Sequence, residues 1–188
     1  MVWNLPEGSR VLLDACCLIN LLATECLEEI LRALPHEFAT SRFVAAHEVL
    51  SLSSGLDFGG PLERELISSK RLEHTGCLTI LETSTEEERA VIARLNEEMG
   101  DGEATVCALA VTRGGAVATD DRKALRGMSR LAPEVPTLQT PELLFEWARI
   151  SRASNDQVGK ILRAVRQRAR FYPHRNAPRF EWWERFSL

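Results

Sequence analysis

No stretch of this chain approaches the ~18 consecutive apolar residues that span a bilayer. The longest apolar run, Ala15 to Ala23, is broken by Asn20. Met1 to Arg10 has no basic region leading into an apolar one, so we expect no secretory signal, no membrane partner and a cytoplasmic location. The cysteines Cys16, Cys17, Cys26, Cys77 and Cys107 are odd in number and lack a CxxC pair or a histidine at zinc spacing. That disfavours a disulfide framework or a structural zinc and fits reduced, buried thiols. No glycine-rich loop follows the first candidate strand, which argues against a P-loop or a dinucleotide-binding fingerprint.

What is present is an ordinary globular composition, 188 residues with 45% hydrophobic and 27% charged side chains, enough for one sizeable core. The net charge of −4 is unevenly spread. Residues 160–188 hold eight basic side chains against Glu181 and Glu184, a net +6 that leaves the other 159 residues at −10. An acidic body with a basic tail suggests a charged partner.

Short apolar runs alternate with segments of helical period. Arg10–Asp14 reads as a buried parallel strand, running into Leu18–Leu22, with Thr24 placed to cap the next helix. Glu37–Thr40 reads as a strand, Ser41–Leu52 as a helix with Phe43, Val44, His47, Val49 and Leu50 on its apolar face, and Ser53–Gly60 as turn. Leu62–Leu72 reads as helix and Cys77–Leu81 as strand. Ser84 with Glu87 forms a capping box for a helix presenting Val91, Leu95 and Met99. Gly102–Thr112 is a helix buried nearly all round, Ala116–Thr119 a strand ending in Asp120-Asp121, and Val135–Gln139 the last strand. Thr140-Pro141-Glu142 starts the first of two C-terminal helices ending near Arg170. The expectation is an α/β protein with a mostly parallel central sheet flanked by helices. Residues 9–150 form the main domain, and 151–188 a helical, basic and aromatic extension packed on it.

In open α/β sheets, ligands sit at the carboxyl ends of strands. Two candidate strands end in acid, at Asp14 and at Asp120-Asp121, and two more acids, Glu48 and Glu103, lie on otherwise apolar helices. Each has a plain reading alone: Asp14 as a helix cap, Glu48 as a half-exposed helix residue, Glu103 as a first-turn acid, Asp120-Asp121 as a turn. If they converge, repulsion decides their role. Two carboxylates 4 Å apart repel by about 4 kcal/mol at an effective dielectric near 20, so four require protons or cations. Mg²⁺ or Mn²⁺ prefers such oxygens, activates water and stabilises a phosphate under attack, which is hydrolytic nuclease chemistry.

In order along the chain, LLDACCLINLL, AAHEVL, DGEATVCALA and GGAVATDDRKAL resemble the four acidic motifs of the PIN-domain family, specifically its bacterial toxin-like ribonucleases. The resemblance covers about Val11 to Trp147. It implies a Rossmann-like PIN fold, Mg²⁺ or Mn²⁺ as cofactor, and endonucleolytic cleavage of single-stranded RNA. Homodimers and a cognate antitoxin protein are implied as partners. Asp14, Glu48, Glu103 and Asp121 correspond to the metal-binding catalytic acids, and Asp101 and Asp120 are auxiliary candidates. Asp121 is preferred because the family places its acid second after the Thr, here Thr119. The chain departs from the pattern at Cys16, where the family usually has Ser, Thr or Asn; a thiol is a weaker donor and a poor Mg²⁺ ligand.

In the tail, Phe171, Tyr172, Phe180, Trp182, Trp183 and Phe186 interleave with arginines, of which Arg168, Arg170, Arg175 and Arg179 are candidates for contacting RNA or a partner. The plainer reading is that the large aromatics close over the core or a dimer interface. His36 and His47 read as packing or surface residues. Two further readings compete with the nuclease: a PIN-like nucleic-acid-binding or scaffold protein that does not cleave, and a phosphotransferase using Asp14 as nucleophile. The second is disfavoured because such enzymes commonly need an acid where Cys16 stands.

Overall fold

Val11, Leu12 and Leu13 are fully buried in the strand Arg10–Leu13 (β1), the continuous apolar signature of a strand covered on both faces. In the computed structural model, which describes residues 5–48, 51–53, 64–67 and 72–187, β1 pairs in parallel with Glu37–Ser41 (β2) on one side and Ala116–Ala118 (β6) on the other. Between β2 and β6 along the chain come Ser51–Ser53 (β3), Arg64–Leu66 (β4) and Leu78–Leu81 (β5); Thr137–Leu138 (β7) follows. The main sheet has the order β5-β2-β1-β6-β7 with every pair parallel. The chain is therefore α/β, with a five-stranded parallel sheet flanked by helices, consistent with a Rossmann-like fold. Strand order reverses between β1 and β6, which opens a crevice at their carboxyl ends.

The helices are α1 (Ala15–Ala23), α2 (Leu27–Ala33), α3 (Glu86–Leu95), α4 (Asp101–Arg113), α5 (Arg122–Leu131), α6 (Thr140–Ile150), α7 (Asn155–Ala164) and α8 (Phe180–Ser187). Helix α4, buried from Ala104 to Ala110, packs across β1, β2 and β6, and α3 packs on α4. Gly114 and Gly115, at φ of 76° and 126°, turn the chain into β6; a Cβ on Gly115 would lie 2.7 Å from the Arg10 carbonyl oxygen. Among the described residues, no helix is long and apolar enough to cross a membrane.

Four expectations from the sequence change here. Of the helix expected over Ser41–Leu52, residues 42–48 are helical, with a π-turn at Val44–Glu48 begun by the Val44 N–H donating to Ser41 Oγ at 3.1 Å, and residues 51–53 are instead strand. Val49 and Leu50 lie outside the described residues, as do residues 54–60 of the expected turn. Within the expected helix Leu62–Leu72, residues 64–66 are instead strand, pairing antiparallel with 51–53; 62–63 and 68–71 are outside the described residues. Thr24 closes α1 rather than opening α2: its hydroxyl donates to Leu21 O and accepts from the Cys26 N–H at 3.0 Å. The capping box of α3 is formed by Thr85 and Glu88, one residue beyond the expected pair.

The tail is helical and packed through its aromatic residues. Helix α7 continues into a π-turn at Val165–Ala169, and Phe180–Ser187 is helical, with Trp183 fully buried. Phe171 meets the Trp183 ring edge-on at 5.5 Å, and Trp182 meets Phe145 at 5.4 Å. Burying rings this large against the core is what holds the segment in place.

Candidate active site

Asp14 leaves β1 with its N–H still in the ladder, donating to Ala118 O at 3.0 Å, while its own carbonyl accepts the Leu18 N–H of α1. Its side chain caps that helix and is 2% exposed. Oδ1 accepts from the Ala15 N–H at 2.7 Å; Oδ2 accepts from Thr119 Oγ1 at 2.8 Å and Cys16 Sγ at 3.2 Å. Burial raises the Asp14 pKa, these three donors oppose the rise, and the charge of Asp121 adds to it.

Thr119, fully buried at the end of β6, ties the two strand ends together: its hydroxyl donates to Asp14 and accepts the Asp121 N–H at 3.1 Å. Cys16 performs a parallel task, donating to Asp14 and accepting the Asp120 N–H at 3.1 Å. Asp121 caps α5, with Oδ1 accepting from the N–H groups of Lys123 at 2.6 Å and Ala124 at 2.9 Å.

Its neighbour Asp120 faces elsewhere. Its carboxylate takes donors from Cys17 Sγ at 3.3 Å, Asn20 Nδ2 at 2.9 Å, the Thr140 N–H at 3.0 Å and the Thr140 hydroxyl. Asp120 thus latches the end of β6 to α1 and α6, and burial raises its pKa against those bonds. Sequence reasoning gave Asn20 and Thr140 no part in this; the visible signal was Asn20 itself, an amide interrupting an apolar run, which needs a buried partner.

The first turn of α4 brings in the other acids. Glu103 bends back so that its carboxylate accepts from the Gly100 N–H, and a Cβ on Gly100 would collide with it. Glu48, at the end of the π-turn, accepts from the Gly102 N–H, and a Cβ on Gly102 would occupy the position of its carboxylate. The helix N-terminus favours both charges. Even so, the Glu48 pKa is pushed up to about 7, first by burial and then by the charges of Glu103 and Asp14. Burial likewise raises the Glu103 pKa, with Asp14 and Asp121 adding to it. Asp101, exposed, is held by Asn96 Nδ2 at 2.9 Å and adds a smaller push to Glu48.

The four acids named from the sequence therefore lie at one end of the sheet and repel one another: Asp14 with Asp121, Glu48 with Glu103, and Asp14 with both glutamates. Among the described residues, none of the four is in an ion pair with Lys or Arg. No family model matches the chain, and no curated protein is significantly similar to it.

The spacing of the acids is open. Among the described residues, the one group of potential ligands with all atoms within 4.8 Å is Cys16, Cys17 and Asp120. That group is closed by its own hydrogen bonds, and burial pushes the Cys17 thiol well above the usual range, so it stays protonated and is a poor ligand. The four carboxylates could share a divalent ion through intervening water, the manner in which Mg²⁺ is commonly held.

The tail arginines divide. Arg168, 16% exposed at its side chain, pairs with Glu25 at 2.6 Å and Glu65 at 2.7 Å and donates to Ala23 O, so it ties the tail to α1 and β4. Arg170 ends the π-turn in the left-handed region at φ 55°. The Arg179 guanidinium lies 4.1 Å from the Phe145 ring centroid. Arg175 is exposed.

Proposed function

We propose that the chain is a PIN-like, Mg²⁺- or Mn²⁺-dependent endoribonuclease that cleaves single-stranded RNA. The observation that carries this reading is the set of Asp14 and Asp121 at the carboxyl ends of β1 and β6 with Glu48 and Glu103 beside them, mutually repelling and, among the described residues, in no ion pair with Lys or Arg. The donor set consists of carboxylate oxygens, which suits a hard divalent cation and not a soft one. Asp14 and Asp121, fixed by Thr119, and Glu103, fixed by the helix N-terminus, would hold it. When bound, such an ion lowers the pKa of water and offsets charge on a phosphate under attack. Glu48, with a pKa near 7, is matched to moving a proton at neutral pH: its carboxylate can accept one from an attacking water. The resemblance that suggested this chemistry also carries a homodimer and a cognate antitoxin protein as partners.

The test is cleavage of an unstructured RNA by the purified protein in Mg²⁺, in Mn²⁺ and in chelator. Cleavage that depends on either ion and falls at least 100-fold in Asp14→Asn supports the reading; equal cleavage by Asp14→Asn, or none by the wild type, removes it. A second reading, a PIN-like RNA-binding or scaffold protein without cleavage, is favoured by the open spacing of the acids. It predicts RNA binding that Asp14→Asn leaves intact and no cleavage with either ion.

A further inference from the structure

A cleft of about 400 Å³ opens beside the acids, with Asp120 in its lining. One wall is α5, which presents Arg122 and Arg126, one helical turn apart and both exposed. Neither makes an ion pair among the described residues, whereas Arg130 on the same helix pairs with Glu98. Phe171 and Tyr172 form another part of the lining. Tyr172, 42% exposed, is one of two exposed large hydrophobic residues among those described. Its ring is propped by Phe180 edge-on at 6.0 Å and by the Arg166 guanidinium at 5.4 Å. This part is anchored from behind, because Phe171 meets the fully buried Trp183.

The Asp120 carboxylate is turned to α1 and α6, where four donors engage it. The cationic side chains of the lining are Arg122 and Arg126. Asp121, one residue on, faces the acid pocket, so the cleft and the pocket adjoin across the start of α5. An exposed aromatic ring sharing a cleft with guanidinium groups is the combination that stacks a base and grips its phosphate. A volume of this size accommodates one nucleotide.

We propose that the cleft seats one nucleotide of a single RNA strand, its base stacked on Tyr172 and its phosphate held by Arg122 and Arg126, beside the bond presented to the acids. This rests on the ribonuclease reading for the orientation of the strand, but not for the binding itself. Gln139, His174 and Asn176 also line the cleft and would face the edge of a stacked base, where they would set a base preference.

The test separates binding from cleavage. Affinity of the full chain for a fluorescein-labelled, unstructured RNA 12-mer is measured by anisotropy in chelator, where no divalent ion contributes. Tyr172→Ala is expected to weaken binding about tenfold, with Tyr172→Phe retaining it. The double variant Arg122→Ala/Arg126→Ala is expected to lower the slope of log affinity against log salt by about 0.7, the loss of one phosphate contact on a single strand. Tyr172 is the single tyrosine of the chain, so a photocrosslink from 5-iodouridine RNA to tyrosine reports this site alone. Unchanged tryptophan emission and melting temperature exclude misfolding of the variants. Wild-type affinity in Tyr172→Ala, or no RNA binding by the wild type, overturns the proposal. Tyr172-dependent binding without cleavage in Mg²⁺ or Mn²⁺ keeps the cleft and removes the nuclease; cleavage with KM unaffected by either variant does the reverse.

Discussion

Replacing Glu48 by Gln should make the metal-free protein more stable while abolishing its activity. The amide keeps the oxygen that accepts the Gly102 N–H and removes the charge that Glu103 and Asp14 oppose. With a folded pKa of about 7 against an ordinary 4.5, Glu48 binds more protons folded than unfolded across that interval. Stability therefore falls as pH rises from 4.5 to 7, and the penalty is complete above 7. The full shift corresponds to about 3 kcal/mol at 1.36 kcal/mol per unit. Because Glu48 is only half-buried, solvent screening reduces this, and about 1.5 kcal/mol is the working figure. For a chain of this size that raises the melting temperature by roughly 3–6 °C. The assay is thermal unfolding of wild type and Glu48→Gln in chelator at pH 5 and pH 8, then with Mn²⁺. The gain should appear at pH 8, shrink towards zero at pH 5, and reverse with the ion, which stabilises whichever form binds it. A variant less stable than wild type at pH 8 in chelator, or a difference independent of pH, would refute the charge cluster as the cause.

Gly102→Ala places a methyl on the Glu48 carboxylate and forces it aside, while the helix itself gains up to about 1 kcal/mol; RNA cleavage and Mn²⁺ affinity should drop at least tenfold with the melting temperature held or raised, and retained cleavage would count against the role of Glu48. Glu88 offers the opposite pH behaviour. Its carboxylate, 1% exposed, accepts from Arg113 Nε at 2.6 Å, the Ser84 N–H at 2.6 Å and the Thr85 N–H at 3.0 Å. Arg113 first, and then these backbone donors against burial, hold its pKa at about 2. The stability it contributes is present above about 4.5 and is lost as pH falls towards 2. Glu88→Gln should cost about 2–3 kcal/mol in urea unfolding at pH 7 and much less at pH 3; an equal cost at both values would contradict this.

The parallel sheet was legible because its short apolar runs alternate in order with capped amphipathic helices, and that alternation specifies an α/β sheet. Ser41–Leu52 and Leu62–Leu72 misled for a shared reason: their apolar spacing is helical, but what decides their form is tertiary. Residues 51–53 and 64–66 pair with each other, and Glu65 is held by Arg168, more than a hundred residues away. Short apolar runs do not discriminate helix from strand on their own. The π-turn has a further effect, since its wider turn re-aims Glu48 relative to a regular helix and brings it onto the N-terminus of α4.

At the site, the sequence located the acids but not the direction each faces. Asp120 and Asp121 are chemically identical and adjacent, yet the first is enclosed by donors from α1 and α6 while the second meets the charge of Asp14 and Glu103. Only the paths of the helices entering that corner separate them. The same holds for the cations. Counting charge along the chain directed attention to the tail, whose Arg168 is engaged by two glutamates and whose Arg179 lies on Phe145. Arg122 and Arg126, inside the segment that counts as acidic, form no ion pair among the described residues and line the cleft that holds Asp120. A strand drawn towards this protein would therefore be steered by the few positive groups that fold leaves uncompensated beside the acids, rather than by the basic tail as a whole, and removing Arg122 and Arg126 should weaken binding more than removing Arg168 does.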